Sequence, residues 1–470
     1  MTTHTIGAAS AHPHTSEERT SVAMPDTASH HIPQFHIRLP RGFLNDPNGP
    51  IELDGTVHLF FQSRSTVDTG QPVEWGHATS PDLVHWMLHR PAMSPVPGGP
   101  DADGCWSGNT VRNGDEVWAY YSGKLDHRSY QSVLRAVFDP DAGTFGAPSR
   151  VVDDPAPEEG ITMYRDPFVW QDGDGWRMAV GAAGAEQASI RHYRSADGVR
   201  WTYEGPLATL PRTILREEDT GEGWECPQIL PVDGTEVALV SAWSKAEGPR
   251  NVLAFPLGGT PEPHRVDHGP NFYAASVMRE GSSGPVVFGW VTEGRERGWW
   301  QDAGWAGAIS LPRRTWLVGD RLASEPIPAV AALRVGDPRP ADGAVIGGQA
   351  EIAVPATTGT LRLRFGDDEH LDIRLDPAAG TVEIDRDAAS ADDRAHRGRA
   401  VATGAFDPRS ERPGVRVFVD GSVLEVFTSA GRSFTTRVYP LAAPPWRVEA
   451  PEGSRVWDLE SAIRPVVAGR

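Results

Sequence analysis

The stretch His77-Ala-Thr-Ser-Pro-Asp-Leu-Val-His-Trp86 returns 115 positions later as His192-Tyr-Arg-Ser-Ala-Asp-Gly-Val-Arg-Trp201. Each copy reads as a strand, a tight turn and an aromatic residue that opens the next strand. A weaker echo, Arg135-Ala-Val-Phe-Asp-Pro-Asp-Ala-Gly-Thr-Phe145, falls near the midpoint. The repeating unit is therefore about 58 residues, a little above the ~40–50 of common propeller repeats. Residues 34–330 hold about five such units. Four-stranded sheets repeated around an axis make a β-propeller, so a five-bladed β-propeller is expected here.

The surrounding sequence fits short strands. Apolar, β-branched and aromatic runs occur at Val57–Gln62, Glu116–Ser122, Pro167–Gln171, Trp176–Gly181, Glu236–Trp243 and Pro285–Val291. The dipeptides Asp54-Gly55, Asn113-Gly114, Asp172-Gly173 and Asp233-Gly234 separate many of them and predict hairpin loops. No long segment carries a sustained helical stripe.

Around 325–345 the chain becomes rich in Pro, Ala and Gly, a boundary composition. Residues 331–470 read as a linker and a C-terminal β-sandwich. Period-two alternation is clear in Leu361-Arg-Leu-Arg-Phe365, Leu371-Asp-Ile-Arg-Leu375 and Val415-Arg-Val-Phe-Val419. The last meets Asp420-Gly421 and returns as Ser422–Phe427, a hairpin pattern with one face of each sheet buried. The fold class is all-β. Residues 1–33 are polar and aperiodic and read as a disordered tail. Their histidines (His4, His12, His14, His30, His31) are too irregularly spaced for a metal site.

Composition narrows the partners. The 470 residues include 44 basic and 63 acidic side chains, a net charge of −19. A basic footprint for nucleic acid is missing, and so is one for anionic lipid. No apolar run approaches the roughly 20 residues of a membrane span. Two cysteines, Cys105 and Cys226, rule out a disulfide scaffold. No basic start with an apolar core of a secretory signal is recognisable, so a cytoplasmic protein is expected.

Three acidic clusters precede strands or turns. They are Asn45-Asp46-Pro47-Asn48-Gly49, Arg165-Asp166-Pro167 and Trp224-Glu225-Cys226-Pro227. Asp46, Asp166 and Glu225 are separated by near-multiples of the repeat, which is how residues from blades one, three and four converge at one end of a propeller axis. Glu225, flanked by Trp224 and Cys226, is expected to have a raised pKa from apolar company. Two carboxyl groups across a glycosidic bond are the basic equipment of a glycosidase. Trp75, Trp106, Trp224, Trp299, Trp300 and Trp305 are candidate faces for sugar rings, although most tryptophans belong to blade cores.

With these residues the sequence resembles glycoside hydrolase family 32, the invertases, levanases and inulinases. The resemblance extends to Phe60-Phe61-Gln62, Trp75-Gly76-His77, Trp106-Ser107-Gly108-Asn109, Phe272-Tyr273-Ala274, Gly304-Trp305 and Ile309-Ser-Leu-Pro312, in the family's order. It implies a five-bladed propeller followed by a sandwich. It also implies release of terminal β-D-fructofuranosyl residues from sucrose, fructo-oligosaccharides or fructans. Asp46 would be the nucleophile and Glu225 the general acid/base of a retaining mechanism. Asp166 and Arg165 would hold fructose hydroxyls, and Asn45, Gln62, Trp75, Ser107 and Trp305 would line the pocket. No cofactor or metal is implied. Phe43 stands where the family often has Trp, and Ser63-Arg64-Ser65 replaces a frequent Tyr-Asn-Pro. Both departures lie near the pocket rim and bear on which fructoside is preferred. A fructosyltransferase would use the same residues, and a non-catalytic carbohydrate-binding propeller would keep the fold alone.

Overall fold

The computed structural model describes residues 29–128, 130–156, 159–212 and 220–465. Strands dominate them, and the described helices are the short segment Arg297–Ala303 and a 3₁₀ turn, Pro328–Leu333. No helix among the described residues is long and apolar enough to cross a membrane.

Five antiparallel sheets follow one another along the chain. Their first strands are Gly42–Leu53, Gly104–Asn113, Met163–Asp172, Gly223–Val232 and Phe272–Met278. Each first strand touches the first strand of the next sheet, and that of sheet five returns to that of sheet one. Sheet one gains a strand on each side, both parallel. Trp305–Ala306 lies beside Gly42–Phe43, and Ile463–Pro465 lies beside Trp86–Leu88. Residues 463–465 were expected in the second domain but complete a sheet of the first, because the chain end crosses back.

The repeat has a physical meaning. Both copies join the third strand of a sheet to its fourth, in sheets one and three. Asp82 Oδ1 accepts from the Val84 and His85 amides at 2.9 and 2.8 Å. Asp197 Oδ1 accepts from the Val199 and Arg200 amides at the same distances. Trp86 and Trp201 each donate an indole N–H at 3.2 Å, to the Leu83 and Gly198 carbonyls. The Ser-x-Asp signal is a side-chain-capped turn, repeated because the sheet is repeated.

Two predicted hairpin loops occur as expected. Asp54-Gly55 and Asp233-Gly234 have positive φ at both residues, 50° and 78°, and 49° and 80°, as type I′ turns require. At three others the loop lies one residue further on: Gly114-Asp115, Gly173-Asp174 and Gly421-Ser422. There Asn113, Asp172 and Asp420 still pair within the ladder. Glycine takes the first loop position with φ of 60°, 58° and 58°, the Gly-first pattern of two-residue hairpins.

Beyond residue 333 two six-stranded sheets lie face to face. Leu361, Leu363, Leu371, Ile373 and Leu375 of one sheet and Val415, Val417, Val419, Leu424 and Val426 of the other share one apolar cluster. Alternation of period two places these residues on the inner faces. Each fully buried leucine contributes about 1.5–3 kcal/mol. The Pro-rich boundary is ordered, with Val330 and Leu333 buried in the cluster under sheet one.

The two halves are joined by buried charge. Arg313 of sheet five donates to Asp267 at 2.8 Å and to Glu425 of the second half at 2.5 Å. His36 lies between Asp420 Oδ2 and Glu425 Oε2, at 2.9 and 3.4 Å. Burial opposes the Glu425 charge, but Arg313 and His36 overcome it and hold the carboxyl at about 2. Residues 29–33, expected as tail, belong to this seam. Ile32 is buried, the Ser422 amide donates to the His31 carbonyl, and the His31 ring lies 2.8 Å from the Pro440 carbonyl oxygen. The packing of Ile32 and the polar contacts of His31 offset the cost of ordering this segment. Residues 1–28 of the expected tail lie outside the described residues.

Candidate active site

One irregularity, repeated five times, builds the site. In every first strand two residues oppose a single residue of the second strand. They are Asn45-Asp46, Trp106-Ser107, Asp166-Pro167, Cys226-Pro227 and Ala274-Ala275. Each is a β-bulge, which bends the strand and re-aims its side chains. Asp166, Cys226 and Ala274 carry positive φ of 61°, 45° and 48° at the first bulge position. Such conformations cost about 1–3 kcal/mol each in non-glycine residues. Pro167 and Pro227 fill the second position, where a missing N–H forfeits no ladder bond.

Asp46 and Ser107 hold the equivalent second position in neighbouring sheets, and Ser107 Oγ donates to Asp46 Oδ2 at 2.6 Å. Gln62 Nε2 lies 3.2 Å from the same oxygen and 2.6 Å from Ser107 Oγ. Asn45 Nδ2 donates to Asp46 Oδ1 at 3.0 Å and to Gln62 Oε1 at 2.7 Å. The result is a closed ring of side chains that fixes both oxygens of Asp46.

Arg165, Glu225 and Tyr273 each stand immediately before a bulge, in sheets three, four and five. They form a second chain of contacts. Arg165 Nη1 meets Glu225 Oε1 at 2.8 Å, and the Tyr273 hydroxyl donates to Glu225 Oε2 at 2.9 Å. Arg165 Nε also holds both Asp166 oxygens, at 3.1 and 3.0 Å. The Cys226 amide donates to Asp166 Oδ2 at 2.9 Å. The Cys226 thiol lies 3.7 Å from Asp46 Oδ2 and 3.6 Å from Asp166 Oδ2, and Arg165 ties Glu225 to Asp166, so the three carboxyl groups form one cluster.

Burial raises Glu225 to about 7. Arg165 opposes the rise, Asp166 and Asp46 add to it, and the Tyr273 hydroxyl pulls the other way. The expected direction holds, but its cause is burial and neighbouring carboxylates rather than Trp224. That ring turns to the opposite face, fully buried in the core between sheets three and four. Burial also raises Asp46; the Ser107 and Asn45 donors and Arg165 oppose the rise, while Asp166 adds to it. The hydrogen bonds from Ser107 and Asn45 therefore favour the ionised form of Asp46 without outweighing burial.

Asp46, Asp166, Glu225, Asn45, Gln62, Ser107 and Arg165 are brought together as the sequence suggested. Arg165 bridges Asp166 and Glu225 and lies 4.4 Å from the centre of the Trp106 ring. Two other residues differ from expectation. Trp75 has no exposed surface and packs with Phe60 and Tyr121. Its indole N–H is given to the Trp106 carbonyl at 3.0 Å, so it braces the wall from behind. Trp305 is 2 % exposed, with Arg295 4.5 Å from its ring centre. Tyr273 and the Cys226 thiol were given no role by sequence reasoning. Both lie in short motifs already recognised, next to residues at equivalent points of the repeat. No group of three or more metal-ligand side chains that could hold an ion occurs among the described residues.

Residues 36–326 match the N-terminal domain of glycosyl hydrolases family 32, and residues 332–458 match the family's C-terminal domain. Sucrose-6-phosphate hydrolase of Escherichia coli is 28 % identical over 443 residues, covering 87 % of this chain and 89 % of its own. Raffinose invertase of Escherichia coli is 28 % identical over 448 residues, covering 87 % and 90 %. Among solved structures, fructan 1-exohydrolase IIa from Cichorium intybus superposes with a TM-score of 0.77 at 21 % identity, covering 93 % of this chain and 99 % of that one. With both domain matches in chain order and the carboxyl groups of three motifs brought into one cluster, the chain belongs to glycosyl hydrolases family 32 and is a glycoside hydrolase.

Proposed function

We propose that the chain releases terminal β-D-fructofuranosyl residues from small fructosides, with retention of configuration and through a covalent fructosyl-enzyme. The cyclic contact of five first strands supports a five-bladed propeller whose axis ends at the carboxyl cluster. The two facing sheets support a C-terminal β-sandwich. The relatives are named for sucrose 6-phosphate, raffinose and fructan, and the terminal fructosyl group is the chemistry proposed as common to them.

The observation that carries this reading is the pairing of two unlike carboxyl groups. Asp46 is ringed by donors from Ser107, Asn45 and Gln62. Glu225 is held at about 7 and can carry a proton at neutral pH. Glu225 gives its proton to the glycosidic oxygen while an Asp46 oxygen bonds to the fructose anomeric carbon and the leaving sugar departs. Glu225, now ionised, takes a proton from water. The hydroxide equivalent attacks the same carbon, the Asp46 ester bond breaks, and fructose leaves. Asp166, fixed by Arg165 and the Cys226 amide, takes the role of holding fructose hydroxyls in this reading.

The test is fructose release from sucrose, sucrose 6-phosphate, raffinose, 1-kestose and inulin, followed by NMR. β-Fructofuranose appears first and mutarotates later. The α-anomer appearing first overturns the covalent intermediate, and no release from any substrate overturns the reading.

A further inference from the structure

Exposure along sheet one rises outward from the carboxyl cluster. Gln62, Asn45 and Asp46 are buried, Phe43 and Arg64 are half-buried, and Ser65 is exposed. Phe43 and Arg64 pair with each other across the first two strands, Gly42–Leu53 and Thr56–Arg64. The centre of the Phe43 ring lies 5.5 Å from that of Trp300, in the helix Arg297–Ala303. Each ring of this pair has a guanidinium beside it. Arg64 is 5.6 Å from the centre of Phe43, and Arg297 is 5.9 Å from the centre of Trp300. The loop after Arg64 ties both cations to one rim. Arg64 Nε donates to the Gln71 carbonyl at 3.0 Å, and Arg297 Nη2 donates to Thr69 Oγ1 at 3.0 Å.

Neither arginine forms an ion pair with a carboxylate among the described residues. Asp68, on the same loop, gives its Oδ1 to the Gly70 amide at 2.9 Å. Arg64 Nη1 lies 3.5 Å from Asn45 Oδ1, while Asn45 Nδ2 donates to Asp46. One side-chain amide therefore separates Arg64 from the Asp46 carboxylate. Burial pushes the Arg64 guanidinium down, and Asp46 and Asp68 oppose it. Arg64 also falls in Ser63-Arg64-Ser65, where this sequence departs from the Tyr-Asn-Pro frequent in the family. A chain with a net charge of −19 and three clustered carboxyl groups repels an anionic substrate unless cations near the cluster oppose the field.

We propose that Arg64 and Arg297 determine specificity by selecting a fructoside phosphorylated on its leaving sugar, with Phe43 and Trp300 against an apolar face of that sugar. This rests on the fructosyl release read above: with the fructosyl ring at the carboxyl cluster, the leaving sugar extends outward along this rim. Guanidinium forks match phosphoryl oxygens in geometry and charge. A phosphoryl group on the fructosyl ring would instead stand among the three carboxyl groups and be repelled.

The test compares kcat/KM for sucrose, for sucrose phosphorylated on the glucosyl 6-hydroxyl, and for its isomer phosphorylated on the fructosyl 6-hydroxyl. The glucosyl-phosphorylated compound is preferred to sucrose by about a hundredfold, about tenfold for each charged hydrogen bond. The preference shrinks as salt is raised. Arg64→Gln and Arg297→Gln each lower that ratio about tenfold, and Arg64→Lys, which keeps the charge, retains part of it. If Arg64 only props Asn45, its loss slows both substrates alike and leaves the ratio unmoved, which overturns the proposal. Equal kcat/KM for the two substrates in wild type overturns it too, as does preference for the fructosyl-phosphorylated isomer. Calorimetric titration with glucose 6-phosphate, the leaving sugar, separates this proposal from the catalytic reading. It binds more tightly than glucose, and both glutamine variants weaken it. If no fructoside is hydrolysed, the catalytic reading falls and this titration still decides the arginines. If sucrose is hydrolysed and glucose 6-phosphate binds no better than glucose, the arginine assignment alone falls.

Discussion

The Tyr273 hydroxyl lies 2.9 Å from Glu225 Oε2 and 3.2 Å from the Ala242 carbonyl oxygen. One hydroxyl proton therefore has two acceptors. When Glu225 is ionised, Tyr273 donates to it. When Glu225 is protonated, the carboxyl can donate to the Tyr273 oxygen while Tyr273 donates to Ala242. The same side chain serves both protonation states that a general acid/base visits in one cycle. In Tyr273→Phe the ionised form loses a donor, so the Glu225 pKa rises. The alkaline limb of kcat/KM, set near pH 7 in the free wild-type enzyme by the acid, moves to higher pH. A pH–rate profile is the measurement, and an unmoved limb removes Tyr273 from this role.

Asp46→Asn keeps the polar ring in place but removes the attacking oxygen's charge. Turnover is expected to fall by about 10⁴-fold or more. Glu225→Gln is expected to cost about 10²–10⁴-fold, and less on a fructoside whose leaving group needs no proton. Circular dichroism should match wild type for both. Near-normal turnover in either folded variant would move the catalytic role elsewhere.

Arg165 is the buried cation among three carboxyl groups, bonded directly to Asp166 and Glu225. Arg165→Met leaves those groups without it and should cost about 3–5 kcal/mol of stability, as breaking a buried pair does. The Glu225 and Asp46 pKa values should rise further, because Arg165 lowers both. Urea unfolding checks the first expectation and the pH–rate profile the second. Unchanged stability would show that the carboxyl groups find compensation without the guanidinium.

His58, His77 and His89 stack along sheet one, with ring centroids 5.1 and 4.7 Å apart and His58 Nδ1 3.0 Å from His77 Nε2. Burial and mutual repulsion lower His77 to about 3 and His58 to about 4, from 6.5. The folded state thus binds fewer protons than the unfolded chain below pH 6.5. The contribution to stability is complete above that pH and is lost progressively as pH falls toward 3. His77→Phe keeps an aromatic ring for the stack and removes one titration. Its urea midpoint should fall less steeply between pH 6.5 and 5 than that of wild type; identical slopes would exclude the trio.

Glycine at the first loop position explains the one-residue difference at Asn113, Asp172 and Asp420. The dipeptide announces a hairpin, but which residue turns depends on which loop geometry the flanking strands accept. Trp75, Trp224 and Trp305 illustrate a second limit. Their motifs were recognised correctly, yet a strand alternates its faces, and the motif does not state which face meets the cavity. The raised pKa of Glu225 was legible in direction only, since its causes include Asp46 and Asp166, which are distant in sequence.

Sequence alone determined what depends on local chemistry and period. The Ser-x-Asp turns recur because each caps its own backbone amides. Leu361–Phe365 and Val415–Val419 alternate because a half-buried strand must. The spacing of Asp46, Asp166 and Glu225 follows the length of one sheet. Tertiary structure decided what depends on long-range closure. Five equivalent bulges turn neighbouring strands inward, so Ser107 meets Asp46 across 61 positions and Tyr273 meets Glu225 across 48. The seam of His36, Asp420, Glu425 and Arg313 joins segments nearly 400 residues apart. No local pattern encodes those partners, because the energy of a buried charge depends on everything that surrounds it once water has been excluded.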